Sequence, residues 1–202
     1  MTTGSAAPAR RTAAGARRAL PAVAAGAVAG LAWAAGLRGF MVEVAGPAST
    51  VGWLGTFEGI LLPGAVTGAL LGWAHHLRRS GDDRFRWRLA AAPLAFVVAN
   101  PFVLVTVVTD GGIGGGALAV VLFGVAGGYA LAGRGPRWAV VAAGAVAAAG
   151  ILLWPASAAS IGGHLAVTDP RGAWVAVLWC SSLAVLSLAC AAPHRAAAPV
   201  RS

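Results

Sequence analysis

The chain has 202 residues, of which 58% are hydrophobic and 10% charged, with 29 glycines. That excludes an ordinary water-soluble domain, in which about 25% of residues carry charge, and fits a bundle whose solvent is lipid. The net charge of +9 comes from arginines spread among connectors, with no basic, aromatic-studded domain to form a binding face, so nucleic acid is not an expected partner.

Six apolar runs organise the sequence: Leu20 to Leu37, Val51 to Ala74, Leu89 to Val108, Ile113 to Ala132, Trp138 to Trp154 and Ala173 to Ala192. Each is near the ~20 residues that cross the hydrocarbon core as a helix. The expected fold is all-α, an integral membrane bundle of six transmembrane helices over residues 19–193. Residues 1–18 are read as a disordered cytoplasmic tail and 194–202 as a second cytoplasmic tail. The runs and their short connectors use nearly the whole chain and leave no room for a soluble catalytic domain.

Cutting the chain at these runs puts thirteen of its fifteen basic residues on one side. Arg10, Arg11, Arg17 and Arg18 precede the first run, and Arg78, Arg79, Arg84, Arg86 and Arg88 separate the second from the third. Arg134 and Arg137 separate the fourth from the fifth, and Arg195 and Arg201 follow the sixth. Basic residues concentrate in cytoplasmic loops, so both termini are expected in the cytoplasm, with Arg38 and Arg171 left outside. The implied location is a bacterial cytoplasmic (inner) membrane. The absence of lysine beside abundant Ala, Gly and Arg is the composition of a high-GC genome.

In chain order, the first run with Arg17-Arg18 before it also admits a reading as a cleaved export signal, with Ala32-Trp33-Ala34 as the cleavage site. That would leave five crossings. The connector from Arg38 to Thr50 is expected outside. The second run then carries Glu58, seven residues in and so about 10 Å below the outer boundary. A carboxylate at mid-membrane costs roughly 2.5–3.5 kcal/mol, so Glu58 must be protonated, paired or facing water. Pro63, five residues on, removes an N–H and frees the carbonyl of Gly59, kinking the helix beside the carboxyl. Asn100-Pro101 makes a similar break in the third run, at a depth within about 5 Å of Glu58. Glu58, Asn100 and Arg38 are therefore the candidate polar site. It is either a proton or cation site opening outward or a structural residue paired to Arg38.

Gly64, Gly68 and Gly72 form a stripe that lets helix backbones approach closely. Gly26 with Gly30 and Gly124 with Gly128 repeat the spacing, and packing within the chain is the expected use. His75 and His76 end the second run, where a cationic ring suits the helix C-terminus. Adjacent residues point about 100° apart, a poor arrangement for one metal. Gly112 to Ala117 matches G-x-G-x-x-A, but it joins two apolar runs and no acid follows to hold a ribose. Arg134 to Arg137 is a tight turn between antiparallel neighbours. The last outer loop, Pro155 to Gly172, holds His164 and Asp169, with no third or fourth metal ligand in reach. Cys180 and Cys190, about 15 Å apart along one helix, cannot bridge. Most tryptophans fall near run ends, as indoles at the headgroup layer do. Trp179 alone is clearly internal.

Arg38-Gly39-Phe40-Met41, followed by Trp53-Leu54-Gly55-Thr56-Phe57, resembles a signature of small multi-pass membrane proteins from high-GC Gram-positive bacteria, Arg-x-aromatic-Met and then Trp-x-Gly-Thr. The similarity spans about 20 residues and brings no activity with it. It implies that the stretch from Arg38 to Glu58 is the characteristic part of the chain. No metallopeptidase, phosphate-loop lysine, nucleophile-elbow or C-x-x-C motif occurs, and no cofactor or metal is expected. The expected role is accessory or structural, in contact with membrane lipids and with a membrane protein partner or a second copy of the chain. The alternative is a small transporter or channel-like protein with Glu58 as its protonatable group.

Overall fold

The computed structural model describes residues 7–81, 86–99 and 116–195. These residues are helical with no strand, in six helices. The first, α1, is Ala7–Ala45, and α2 is Trp53–Ser80, whose first part, Trp53–Leu61, is π-helical. α3 is Arg88–Ala99, largely wound as 3-10 helix, and α4 is Gly116–Ala132. α5 is Arg137–Ile161 and α6 is Pro170–Cys190. Four segments are long and apolar enough to cross a membrane: Arg18–Ala45 within α1, and α2, α5 and α6; the described parts of α3 and α4 are shorter apolar helices.

α1 begins at Ala7, well inside the stretch read from sequence as an unstructured tail. Alanine and arginine are strong helix formers, and a helix already nucleated in the apolar run propagates through them at little cost. Asn100 and Pro101, and Gly112 to Gly115 of the glycine-rich turn, lie outside the described residues.

The closest packing in the molecule joins α1 to α2. A methyl group added at Gly26 or Gly30 would fall on the carbonyl oxygen of Gly68 or Gly64, and one added at Gly68 would fall on that of Gly26. Farther along the same seam, Gly72 faces the carbonyl of Ala22 and Gly64 the methyl of Ala34. The pairing runs antiparallel, and it places backbone against backbone, a distance that any side chain would forbid. Gly64, Gly68 and Gly72 thus all face α1.

A second seam joins α4 to α6. Gly124 meets Leu186, Gly127 meets Ser187 and Gly128 meets Cys190, so these two helices run parallel. α5 returns antiparallel to α4 after a turn in which Gly133 (φ +64°) and Gly135 (φ +129°) adopt conformations closed to other residues. Trp179 of α6 donates its indole N–H to the carbonyl of Gly150 on α5 at 2.8 Å. α1 crosses α6 antiparallel, with the Trp33 indole N–H donated to the carbonyl of Ser182 at 2.8 Å. Nearby, Phe40 lies between Trp154 and Trp179, with ring centroids at 4.8 and 4.9 Å.

These pairings fix the directions of the helices. α1 and α5 run one way, and α2, α4 and α6 the other. α3 leaves the end at which α2 finishes. One end of the bundle therefore gathers Arg18, Arg78, Arg79, Arg88, Arg134, Arg137 and Arg195. The opposite end holds Arg38, Glu43, His164, Asp169 and Arg171, where Arg171 pairs with Glu43 at 2.8 Å. Asp169 accepts from the Arg171 backbone N–H at 2.8 Å and caps the start of α6.

Tryptophans divide between these environments. Trp53 and Trp138 are 78% and 75% exposed at helix ends, as amphipathic rings at an interface would be. Trp33, Trp154 and Trp179 instead turn inward, where their rings fill volume and two of their N–H groups find carbonyls. Run-end position alone does not separate these two uses.

The seam makes a direct prediction. Gly68→Ala should destabilise the fold by about 1–3 kcal/mol, the usual penalty for overpacking, while Gly36→Ala, which meets open space, should be neutral. Thermal unfolding of the detergent-solubilised proteins compares them, and equal stability of the two variants would contradict a backbone-on-backbone contact.

Candidate functional site

Glu58 lies in the π-helical opening of α2, between Trp53 and Leu61. The π-helical stretch ends two residues before Pro63, whose ring in an α-helix would crowd the carbonyl of Gly59. The Leu62 N–H reaches back five residues to the carbonyl of Phe57. π-Helical segments are rare and frequent at functional sites, and here one carries the carboxylate that sequence analysis selected.

Two residues apart on a helix, Thr56 and Glu58 point to nearly opposite faces. Thr56 points inward and is 6% exposed, whereas Glu58 is exposed. Glu58 sits at the edge of an open groove of about 530 Å³ between α2 and α3, lined by Pro63, Val66 and Leu70 on one side and Leu89, Ala95 and Val98 on the other. The described part of α3 ends at Ala99, which also borders the groove, one residue before Asn100.

Arg38 serves a different neighbourhood. Its Nη1 donates to Ser49 Oγ at 3.0 Å, its Nη2 to the Thr50 carbonyl and its Nε to Thr56 Oγ1 at 3.4 Å. All three guanidinium nitrogens are thus directed at the connector between α1 and α2 and at the first turn of α2. The structure brings Arg38 to Thr56, two residues from Glu58, and not to the Glu58 carboxylate. The sequence singles out Arg38 but not its partners. The available signal was the pair of hydroxyl residues, Ser49 and Thr50, between two apolar runs next to an arginine whose planar fork favours several acceptors at once.

This geometry gives the two halves of the Arg38 to Phe57 signature a physical connection. Arg38 binds the connector and Thr56. Phe40, on the same helix, enters the aromatic cluster with Trp154 and Trp179, and Met41 packs against that cluster. Trp53 stacks on Phe57 at 4.6 Å on the outer surface of the π-helical turn. Arg38 and Thr56 thus tie α1 and the connector to α2, Phe40 ties α1 to α5 and α6, and the Trp53–Phe57 stack lies within α2.

Among the described residues, no group of three or more His, Cys, Asp or Glu is placed to hold a metal ion. Cys180 and Cys190 are free thiols, with Cys190 packed against Gly128. Comparison of the chain with protein-family models, with curated proteins and with solved structures found no match in any of the three.

Arg38→Lys keeps the charge but loses the fork. It should release the connector, seen as faster hydrogen exchange at the Thr56 amide, now bonded to the Gly52 carbonyl at 2.9 Å. Unchanged protection there would mean that the arginine does not hold the turn.

Proposed function

We propose that this chain is a six-crossing protein of a bacterial cytoplasmic membrane, with both termini in the cytoplasm, and that it is an accessory or structural component binding lipid or a partner protein within the bilayer. The observation that carries the topology is the agreement of helix direction with charge. Seven arginines from five separate segments meet at one end of the bundle, the distribution expected of a cytoplasmic face.

The accessory role is supported by where the polar groups are used. Arg38, Thr56, Thr67, Trp33, Trp179 and the Glu43–Arg171 pair bind other parts of the chain. They hold helices to one another and to the connector. Such a bundle presents to its surroundings an apolar surface and a cationic end, which suit lipid and membrane-protein contacts.

Glu58 supports a second reading, in which the chain is a small transporter or channel-like protein. Its carboxylate is exposed on a π-helical turn beside a groove, and intramembrane carboxylates commonly mark ion or proton paths. Native mass spectrometry of wild type and Glu58→Gln, purified in mild detergent, separates the two. The accessory role predicts the same bound lipids or proteins in both. Loss of a small ligand or ion from the Glu58→Gln protein alone would overturn it in favour of transport.

A further inference from the structure

α1 and α6 touch at the end of the bundle away from the arginines, where Trp33 and Phe40 meet Ser182 and Trp179. Toward the arginine end they draw apart, and the space between them is a cleft of about 330 Å³. Its floor is the α2 stripe of Gly64, Thr67, Gly68 and Gly72. Ala29 of α1 and Val185 and Leu188 of α6, all exposed, stand at its rim. Trp33 closes the inner end. His75, Arg78 and Arg195 lie at the other end, at the cationic face.

The dimensions and chemistry of this cleft are those of a lipid site. From Arg78 to Gly68 is ten residues of helix, about 15 Å, which is half of a hydrocarbon core of about 30 Å and so the depth of one leaflet. The volume is at the lower end of the ~300–1,000 Å³ typical of small-molecule sites, enough for a chain but not for a whole lipid. The edge of the glycine seam forms the floor, and the walls offer a hydrocarbon chain only apolar contact.

The mouth supplies the charge. Arg78 has a buried Nε with no hydrogen-bond partner among the described residues, and its Nη2 is 3.4 Å from His75 Nδ1. The Arg78 side chain as a whole stays partly exposed at the mouth of the cleft, where a phosphate oxygen at the headgroup level is an acceptor matched to the arginine fork. Arg195 adds positive charge from the far side of the cleft. Basic pockets between helices on the cytoplasmic side are favourable for anionic headgroups.

We infer that the cleft between α1, α2 and α6 is a binding site for an anionic glycerophospholipid of the cytoplasmic leaflet, with one acyl chain lying on the Gly64–Gly72 stripe and the phosphate at Arg78. This rests on the accessory, lipid-binding reading above and gives it a site and a ligand class. The glycines then have two uses. Their inner edge admits α1, and their outer edge forms the floor on which a lipid chain lies.

The test is native mass spectrometry of the full-length protein, delipidated and titrated with phosphatidylglycerol or with phosphatidylcholine of the same acyl chains. Wild type should prefer phosphatidylglycerol. Arg78→Gln should lower that preference about fivefold, the ratio that corresponds to about 1 kcal/mol per arginine near anionic headgroups. Arg79→Gln, exposed and outside the cleft, should leave it unchanged. Ala29→Phe, at the rim, should fill the groove and lower the occupancy of both lipids, and a folded state for each variant is confirmed by its thermal transition. No headgroup preference in wild type, or equal effects of Arg78→Gln and Arg79→Gln, would overturn the site. Retention of a partner protein or of a zwitterionic lipid in that case would leave the accessory reading standing, whereas retention of neither would remove both.

Discussion

The antiparallel contact of α1 with α2 is the constraint on which the rest of the bundle depends. In lipid no hydrophobic force drives one helix onto another, and association relies on van der Waals packing and a few hydrogen bonds. Gly26 and Gly30 facing Gly64, Gly68 and Gly72 let two backbones touch, which maximises that packing where side chains would hold the helices apart. Once α1 and α2 are joined, the short connector between them must turn sharply. Arg38 binds Ser49, Thr50 and Thr56 there, and α2 opens with the π-helical turn that carries Glu58.

The other helices attach to this pair unevenly. Aromatic rings of α1, α5 and α6 fill the space at one end, where Phe40, Trp154 and Trp179 form mutual contacts, each worth roughly 0.5–1.5 kcal/mol beyond burial. At the other end, small residues and the divergence of α1 from α6 leave the cleft that opens beside Arg78. Large rings at one end and glycines at the other thus produce a wedge, closed at the Arg38 end and open at the arginine-rich end.

Much of this architecture was legible in the sequence, because the signals are strong ones. Long apolar runs announce helices, and the spacing of Gly64, Gly68 and Gly72 announces a face suited to close approach. Other features required the third dimension. Gly26 and Gly30 read as one small-residue pair among several until the antiparallel register set them against α2. Trp33 and Trp154 read as interfacial tryptophans by position, yet they turn inward, because χ1 and the neighbouring helix decide the direction of a ring near a helix end. Of the candidate polar site, Glu58 was legible as an apolar-run carboxylate, but its separation from the Arg38 guanidinium depends on which face of α2 meets the connector, with Thr56 turned inward and Glu58, two residues on, outward. The cleft had no local signal, since its residues come from three helices far apart in sequence and it exists only because two of them diverge.

The seam and its partners alternate the helices so that Arg18, Arg78, Arg79, Arg88, Arg134, Arg137 and Arg195 share one side, opposite Arg38 and Arg171. Single cysteines introduced by Ser80→Cys, Arg137→Cys, Thr50→Cys and His164→Cys, in a Cys180→Ser/Cys190→Ser background, can be labelled in intact cells with a membrane-impermeant maleimide. Labelling at positions 50 and 164 with protection at 80 and 137 is the predicted pattern. Labelling that divides the two positions of either pair would contradict the helix directions, and labelling at 80 and 137 alone would contradict the proposed orientation.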